Sequence, residues 1–89
     1  MESDWVDLFR RDIPERIIDR IPPSMAWENR VIPLEQQGNV LVFAIAETEY
    51  DDTDTGDKLQ FIFNTEVRFV RASERAIDFA LSRYYPRSG

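Results

Sequence analysis

The chain has 89 residues and a formal net charge of −6, from 11 Lys and Arg against 17 Asp and Glu, with no His and no Cys. That length holds one small core, and the missing residue types exclude Cys–His zinc sites, His-based catalytic triads and thiol redox chemistry. The acidic balance argues against nucleic-acid backbones and anionic lipid surfaces as partners. Hydrophobic residues make up 43% and aromatics 12%, the composition of a globular domain. The longest apolar run, Val40–Ala46, is far short of the roughly 20 residues that cross a bilayer, so no membrane insertion is expected. The start, MESDWVDLFRR, is acidic before it is apolar and does not read as a secretory signal. A cysteine-free chain without such a signal fits a reducing, cytoplasmic setting.

Trp5, Leu8 and Phe9 recur at helical spacing, with Ser3 or Asp4 as a cap. A second helix opens at Pro14, favoured at the first helical position, and presents Ile13, Ile17, Ile18 and Ile21 on one face. Pro22-Pro23 stops it, and a short turn follows with Met25, Ala26 and Trp27. Residues 30–34 form a strand in which Pro33 demands an edge or a strand start. Residues 35–39 read as a hairpin turn, with Gly38 free to take positive φ. Val40–Ala46 is apolar throughout, a strand covered on both faces.

Six carboxylates then fall within residues 47–57. They read as a loop and a helix opening near Asp52 or Thr53, with Asp54 and Asp57 at the positive end of its dipole. Leu59, Ile62 and Phe63 should face the core, and Gly56 weakens the helix by about 1 kcal/mol relative to Ala. Asn64-Thr65 ends it. Val67, Phe69 and Arg71 alternate with Arg68 and Val70 in a third strand. Ser73 caps a last helix whose stripe is Ile77, Ala80, Leu81 and Tyr84. The expected fold is a small two-layer α/β (α+β) domain, a three-stranded mixed sheet covered by helices in the order α-α-β-β-α-β-α. The crossover between the second and third strands is long enough to make them parallel. Residues 1–11 are expected as a helical extension, 12–85 as the domain and 86–89 as a disordered tail.

In order and spacing, several pieces resemble the N-terminal domain of type II secretion and type IV pilus assembly ATPases, in the α/β half of the domain often called MshEN. They are Pro14 with its helix, Val31-Ile32-Pro33-Leu34, Gly38, Leu41-Val42-Phe43-Ala44, Leu59-Gln60-Phe61, Val67-Arg68-Phe69-Val70, Ala72-Ser73, Ile77, Ala80-Leu81 and Tyr84-Tyr85. The resemblance covers about residues 12–85 and implies a non-catalytic adaptor that docks on partner proteins, excised from a longer chain or a solitary relative. Some relatives bind cyclic di-GMP through Arg-Leu-Gly motifs, and no Arg-Leu-Gly occurs here. The G-x-x-x-x-G-K-[ST] motif of an ATPase core is absent as well. The short segment ending in Pro that usually precedes the acidic helix is replaced by residues 47–50, and the Gly usually found before the third strand is missing near Asn64.

Three groups of residues are candidates for function. Asp51, Asp52, Asp54 and Asp57 form an acidic run whose spacing fails the EF-hand pattern: counting from Asp52, positions 6 and 12 hold Asp57 and Phe63. They read as a solvated loop and cap, or as a docking surface for a basic partner, with no metal and no cofactor. Trp5, Leu8 and Phe9 form an apolar turn that gains from packing on a protein partner or a second copy, or folds back on the sheet. Arg16 and Arg20, spaced i, i+4, together with Arg30 are candidates for a nucleotide phosphate. No enzymatic activity is expected, because the serines have no His to activate them and the domain leaves little volume for a cleft. The lead reading is a protein-interaction or regulatory domain of a secretion, pilus or signalling system. The alternative is a nucleotide sensor with a divergent Arg-based site.

Overall fold

The computed structural model describes residues 4–50 and 53–86. Its elements are α1 (Glu15–Ile18), α2 (Pro23–Asn29), β1 (Val31–Gln37), β2 (Val40–Ala46), a 3-10 turn (Glu47–Glu49), α3 (Thr53–Phe63), β3 (Glu66–Ala72) and α4 (Glu74–Tyr84). The strands lie in the order β1-β2-β3, with β1 antiparallel and β3 parallel to the central β2.

The most apolar strand takes the centre because only there are both edges paired. Leu41 to Ala46 are all buried, and Phe43 is completely so. Pro33 sits on the edge strand β1, opposite Phe43, where its missing amide breaks no ladder. The register shifts at Leu34, a bulge that lets this residue bury itself out of sequence. The hairpin closes over two residues, Gly38-Asn39, with Gly38 at φ 60°. Glycine carries this conformation without a Cβ penalty. β1 therefore runs on through Glu35, Gln36 and Gln37, which the sequence reading assigned to the turn. These residues pair with Val42, Leu41 and Val40 of β2, and Gln36 and Gln37 are themselves exposed, so their polarity follows their exposure.

Side chains alternate along a strand, so Leu41, Phe43 and Ile45 share a face with Val67, Phe69 and Arg71. The acidic helix α3 lies on this face: the Phe63 ring is 6.4 Å from that of Phe43. Gly56 has a packing reason, since a Cβ there would stand 3.1 Å from Cε2 of Phe69. Leu59 is buried and Phe63 half-buried, but Ile62 is exposed and does not face the core as expected. Asn64, at φ 53°, ends the helix in the left-handed conformation that asparagine tolerates. The Ser73 hydroxyl accepts the Ala76 amide at 3.1 Å and caps α4. Behind that cap Ala76, Ile77, Ala80 and Leu81 are buried as α4 packs across β1 and β2.

Residues 4–11 do not form the expected helix. The Arg71 amide donates to the Asp4 carbonyl, the Val6 amide donates to the Arg71 carbonyl, and Trp5 makes an isolated parallel bridge to Arg71. Three apolar residues at helical spacing cannot hold a short helix alone, whereas an open strand edge offers backbone partners at once. A turn over residues 8–10 then carries the chain toward α1.

Candidate functional site

Two surface features bring together residue types capable of recognition. The first is a groove between α1 and β1 of about 490 Å³, lined by Arg11, Pro14, Arg16, Ile17, Arg20, Leu34, Glu35 and Gln36. α1 is a single turn, which places Arg16 and Arg20 on the groove while Ile17 and Ile18 go into the core. Arg11 Nη2 meets Glu35 Oε1 at 2.8 Å, and Arg20 donates to the side-chain oxygen of Gln36. The Gln37 side-chain amide and then the Arg11 guanidinium hold the Glu35 carboxyl below its ordinary value. One wall of the groove is therefore a neutralised pair, and the remaining positive charge comes from Arg16 and Arg20.

The third expected member, Arg30, is not in this groove. It is the C-cap of α2, with φ 53° and ψ 52°, and its guanidinium meets Asp78 Oδ1 of α4 at 2.7 Å. Its role is structural: it turns the chain from α2 into β1 and ties that corner to α4. Sequence reasoning missed Arg11 and Glu35 as members of the groove. Arg11 and the i, i+4 pair lie on separate local segments, and only the turn at Pro14 brings them together.

The second feature is an aromatic patch. The rings of Phe9 and Phe79 lie 4.9 Å apart and tilted by 45°, and both are exposed, at 47% and 39%. Arg75, Asp78, Ser82 and Arg83 complete a shallow depression of about 590 Å³ around them. The Arg83 guanidinium stacks on the Tyr84 ring at 4.9 Å and pairs with Asp12 at 2.8 Å. Phe79 was absent from the expected set, although the helical wheel points to it: it lies off the buried stripe of α4, where an aromatic residue has no core to enter.

The expected interaction residues divide. Phe9 is in the patch. Leu8, expected as a contact, is completely buried and anchors residues 4–11 from beneath. Trp5 is exposed at 49% on the outer side of β3, near an Arg71 guanidinium that also lies 4.2 Å from the Tyr50 ring. Asp54 and Asp57 are exposed in the opening turns of α3, away from the Phe9–Phe79 depression, and Asp51 and Asp52 lie outside the described residues. Among the described residues no three carboxylates gather into a set able to hold a metal ion. No helix among them is long and apolar enough to cross a membrane.

Comparison with known proteins matches residues 1–89 to the model of the MshEN domain. The type IV pilus assembly ATPase PilB of Myxococcus xanthus (strain DK1622) is 29% identical over 84 residues, which are 94% of this chain and 14% of PilB. A solved structure of MshE with cdg superimposes with a TM-score of 0.80 at 21% identity, over 93% of this chain and 59% of that one. At that identity the likeness is one of fold.

Proposed function

We propose that this chain, which belongs to the MshEN domain family, is a regulatory docking module serving a pilus-assembly or secretion ATPase in the cytoplasm. The family is a regulatory N-terminal domain distinct from the catalytic one, and the chain has no phosphate-gripping P-loop motif of its own. Its contribution is recognition. The observation that carries the reading is the exposed Phe9–Phe79 ring pair beside Arg75 and Arg83. Apolar rings supply affinity when a partner excludes water from them, and the Arg75 guanidinium beside them favours a carboxylate. The fitting partner is a protein segment that presents an aliphatic or aromatic anchor between acidic residues. Arg83 is paired with Asp12 and Asp78 lines the same depression, so charge selection at this patch rests on Arg75, and the acidic opening of α3 is a separate surface.

The test is capture of partners from a lysate by the folded chain, repeated with Phe79→Ser, with Arg75→Glu and with Asp54 and Asp57 both changed to Lys. A specific partner lost with the first two variants and kept with the third supports docking on the patch. A partner lost only with the third moves the interface to α3, and none with any bait overturns the reading.

A second reading rests on the groove, where the guanidiniums of Arg11, Arg16 and Arg20 surround an apolar floor of Pro14, Ile17 and Leu34. A neighbour of known structure is MshE with cdg. Guanidiniums over an apolar floor suit a phosphate joined to a flat base. Calorimetric titration with cyclic di-GMP tests this reading: binding abolished by Arg16→Ala with Arg20→Ala supports a nucleotide site, and no heat with the unmodified chain rejects it.

A further inference from the structure

Phe61 lies two residues beyond the buried Leu59 and so about 200° round α3 from it, on the side turned away from the sheet. It is 89% exposed, the most open large hydrophobic side chain among the described residues. A lone exposed ring needs no explanation. Here, however, Asp57 and Asp54 stand four and seven residues before it, spacings that share one helix face, and both are exposed. Lys58, the one cation of α3, is drawn aside to α2: its ammonium donates to the Asn29 side-chain oxygen at 3.2 Å and lies 3.8 Å from Glu28 Oε1. Among the described residues Asp57 joins no ion pair. The outer face of α3 is therefore an aromatic anchor behind an available carboxylate. The depression on α4 has the complementary chemistry. Its rings are Phe9 and Phe79, and since Arg83 is taken by Asp12, Arg75 is left for a carboxylate from outside. α3 contributes no residue to that depression, and Leu59 and Phe63 hold the helix on the sheet, so Phe61 does not meet the rings of its own chain.

We infer that the occupant of the Phe9–Phe79 patch is a second copy of this chain, whose Phe61 seats against the two rings while its Asp57 meets Arg75. The inference rests on the patch being a docking surface, as proposed above, and names its partner. The third ring enters a cluster in which aromatic side chains attract one another beyond their burial of area. The Asp57–Arg75 pair sets the orientation, since a copy presenting a cation at that point is repelled. Packing α3 on α3 of a second copy instead would bring carboxylates against carboxylates. The two surfaces that meet are different, so the contact is heterologous. A copy held through its patch still presents its own α3, and one held through α3 still presents its patch. Association therefore runs head to tail and continues into a ring or an open chain, where a two-fold contact would stop at a dimer.

The test is sedimentation velocity of the whole chain from micromolar to millimolar concentration. The unmodified chain is expected to grow past the dimer as concentration rises. Phe61→Ser and Phe79→Ser should each weaken association by about tenfold, the loss that follows removal of an aromatic anchor. Each of these variants keeps one working surface, so an equimolar mixture of the two should form a dimer and nothing larger. Asp57→Arg and Arg75→Glu should each weaken association by about fivefold, and the chain carrying both should recover it, because the reversed charges again meet across the contact. All four sites are exposed, and circular dichroism with a urea midpoint verifies that each variant folds. A chain that stays monomeric, association indifferent to Phe61→Ser, a mixture that does not pair, or a double charge variant that fails to recover overturns the inference. A monomeric chain whose Phe79→Ser variant still loses a partner captured from lysate keeps the docking patch and removes only the second copy as its occupant.

Discussion

The two edges of the sheet are shielded in different ways. β1 carries its shield in its own sequence: Pro33 offers no amide, the bulge at Leu34 breaks the regular spacing, and α1 packs against the strand. β3 has neither proline nor bulge, and among the described residues its cover at Arg71 is supplied by residues 4–6, brought from the far end of the chain. A shield written into a strand lasts as long as the strand does. A borrowed one lasts only as long as its anchors hold, and those are Leu8 beneath the segment and the Tyr84 hydroxyl, which accepts the Ile13 amide and donates to the Arg11 carbonyl.

The most direct way to break this contrast is Leu8→Ala. Loss of a completely buried leucine should cost about 2–5 kcal/mol in a urea melt. The same variant should speed exchange of the Arg71 amide to the rate of an unshielded edge. If stability falls while Arg71 stays protected, the cover does not depend on Leu8.

Tyr85→Phe probes the other side. The buried Tyr85 hydroxyl donates to the Ile18 carbonyl at 2.6 Å and so ties α4 to α1 beside the β1 edge. Its removal leaves that carbonyl without its partner, a loss of about 1–3 kcal/mol, with Arg71 protection unchanged. Burial first, and the charge of Asp19 second, push the phenol above its ordinary value. The sign follows: the contribution is complete below about pH 10, where the unfolded tyrosine begins to ionise, and declines as pH rises toward the higher folded value. Urea midpoints measured from neutral pH into this range should fall more steeply for the original chain than for Tyr85→Phe.

The smallest expected effect sharpens the β1 side further. Glu35 is held below its ordinary value by Gln37 and Arg11, but its side chain is 38% exposed and solvent screens it. Glu35→Gln should therefore cost under about 1 kcal/mol at neutral pH. That difference is present above the ordinary carboxylate value and is lost as pH falls through the lower folded one. Equal urea midpoints for the two chains at pH 7 would show that the pair stabilises nothing.

The elements that could be read from the sequence were those in which local chemistry and tertiary packing agree. The apolar run at Val40–Ala46 has one good location, the sheet centre, and Ser73 before an apolar stripe has one good role, the cap. Where tertiary structure supplied an alternative partner, local pattern misled. Trp5, Leu8 and Phe9 carry a helical spacing that an open strand edge outcompetes. Glu35, Gln36 and Gln37 look like a turn because they are polar, yet they pair with β2. Arg30 carries charge suited to a ligand, but its backbone conformation and Asp78 claim it. Of the candidate site, Arg16 and Arg20 were legible from their i, i+4 spacing, which the turn following α1 keeps on one side, and Phe9 was legible as an uncommitted aromatic. Phe79, Arg75 and Arg11 join them only through contacts between distant segments, which no local spacing encodes.

The bridge between Trp5 and Arg71 also orders events during synthesis. The β1–β2 hairpin closes over two residues and can form as soon as it leaves the ribosome. The segment carrying Leu8 and Phe9 emerges well before that hairpin, yet the rung it joins lies 66 residues further along the chain. Until β3 has been made and laid beside β2, these apolar side chains have nowhere to go. This segment, made before the elements it packs on, thus waits for β3 and α4 before it finds its place. In that interval it is the stretch most open to chaperones and to premature contact with neighbouring nascent chains.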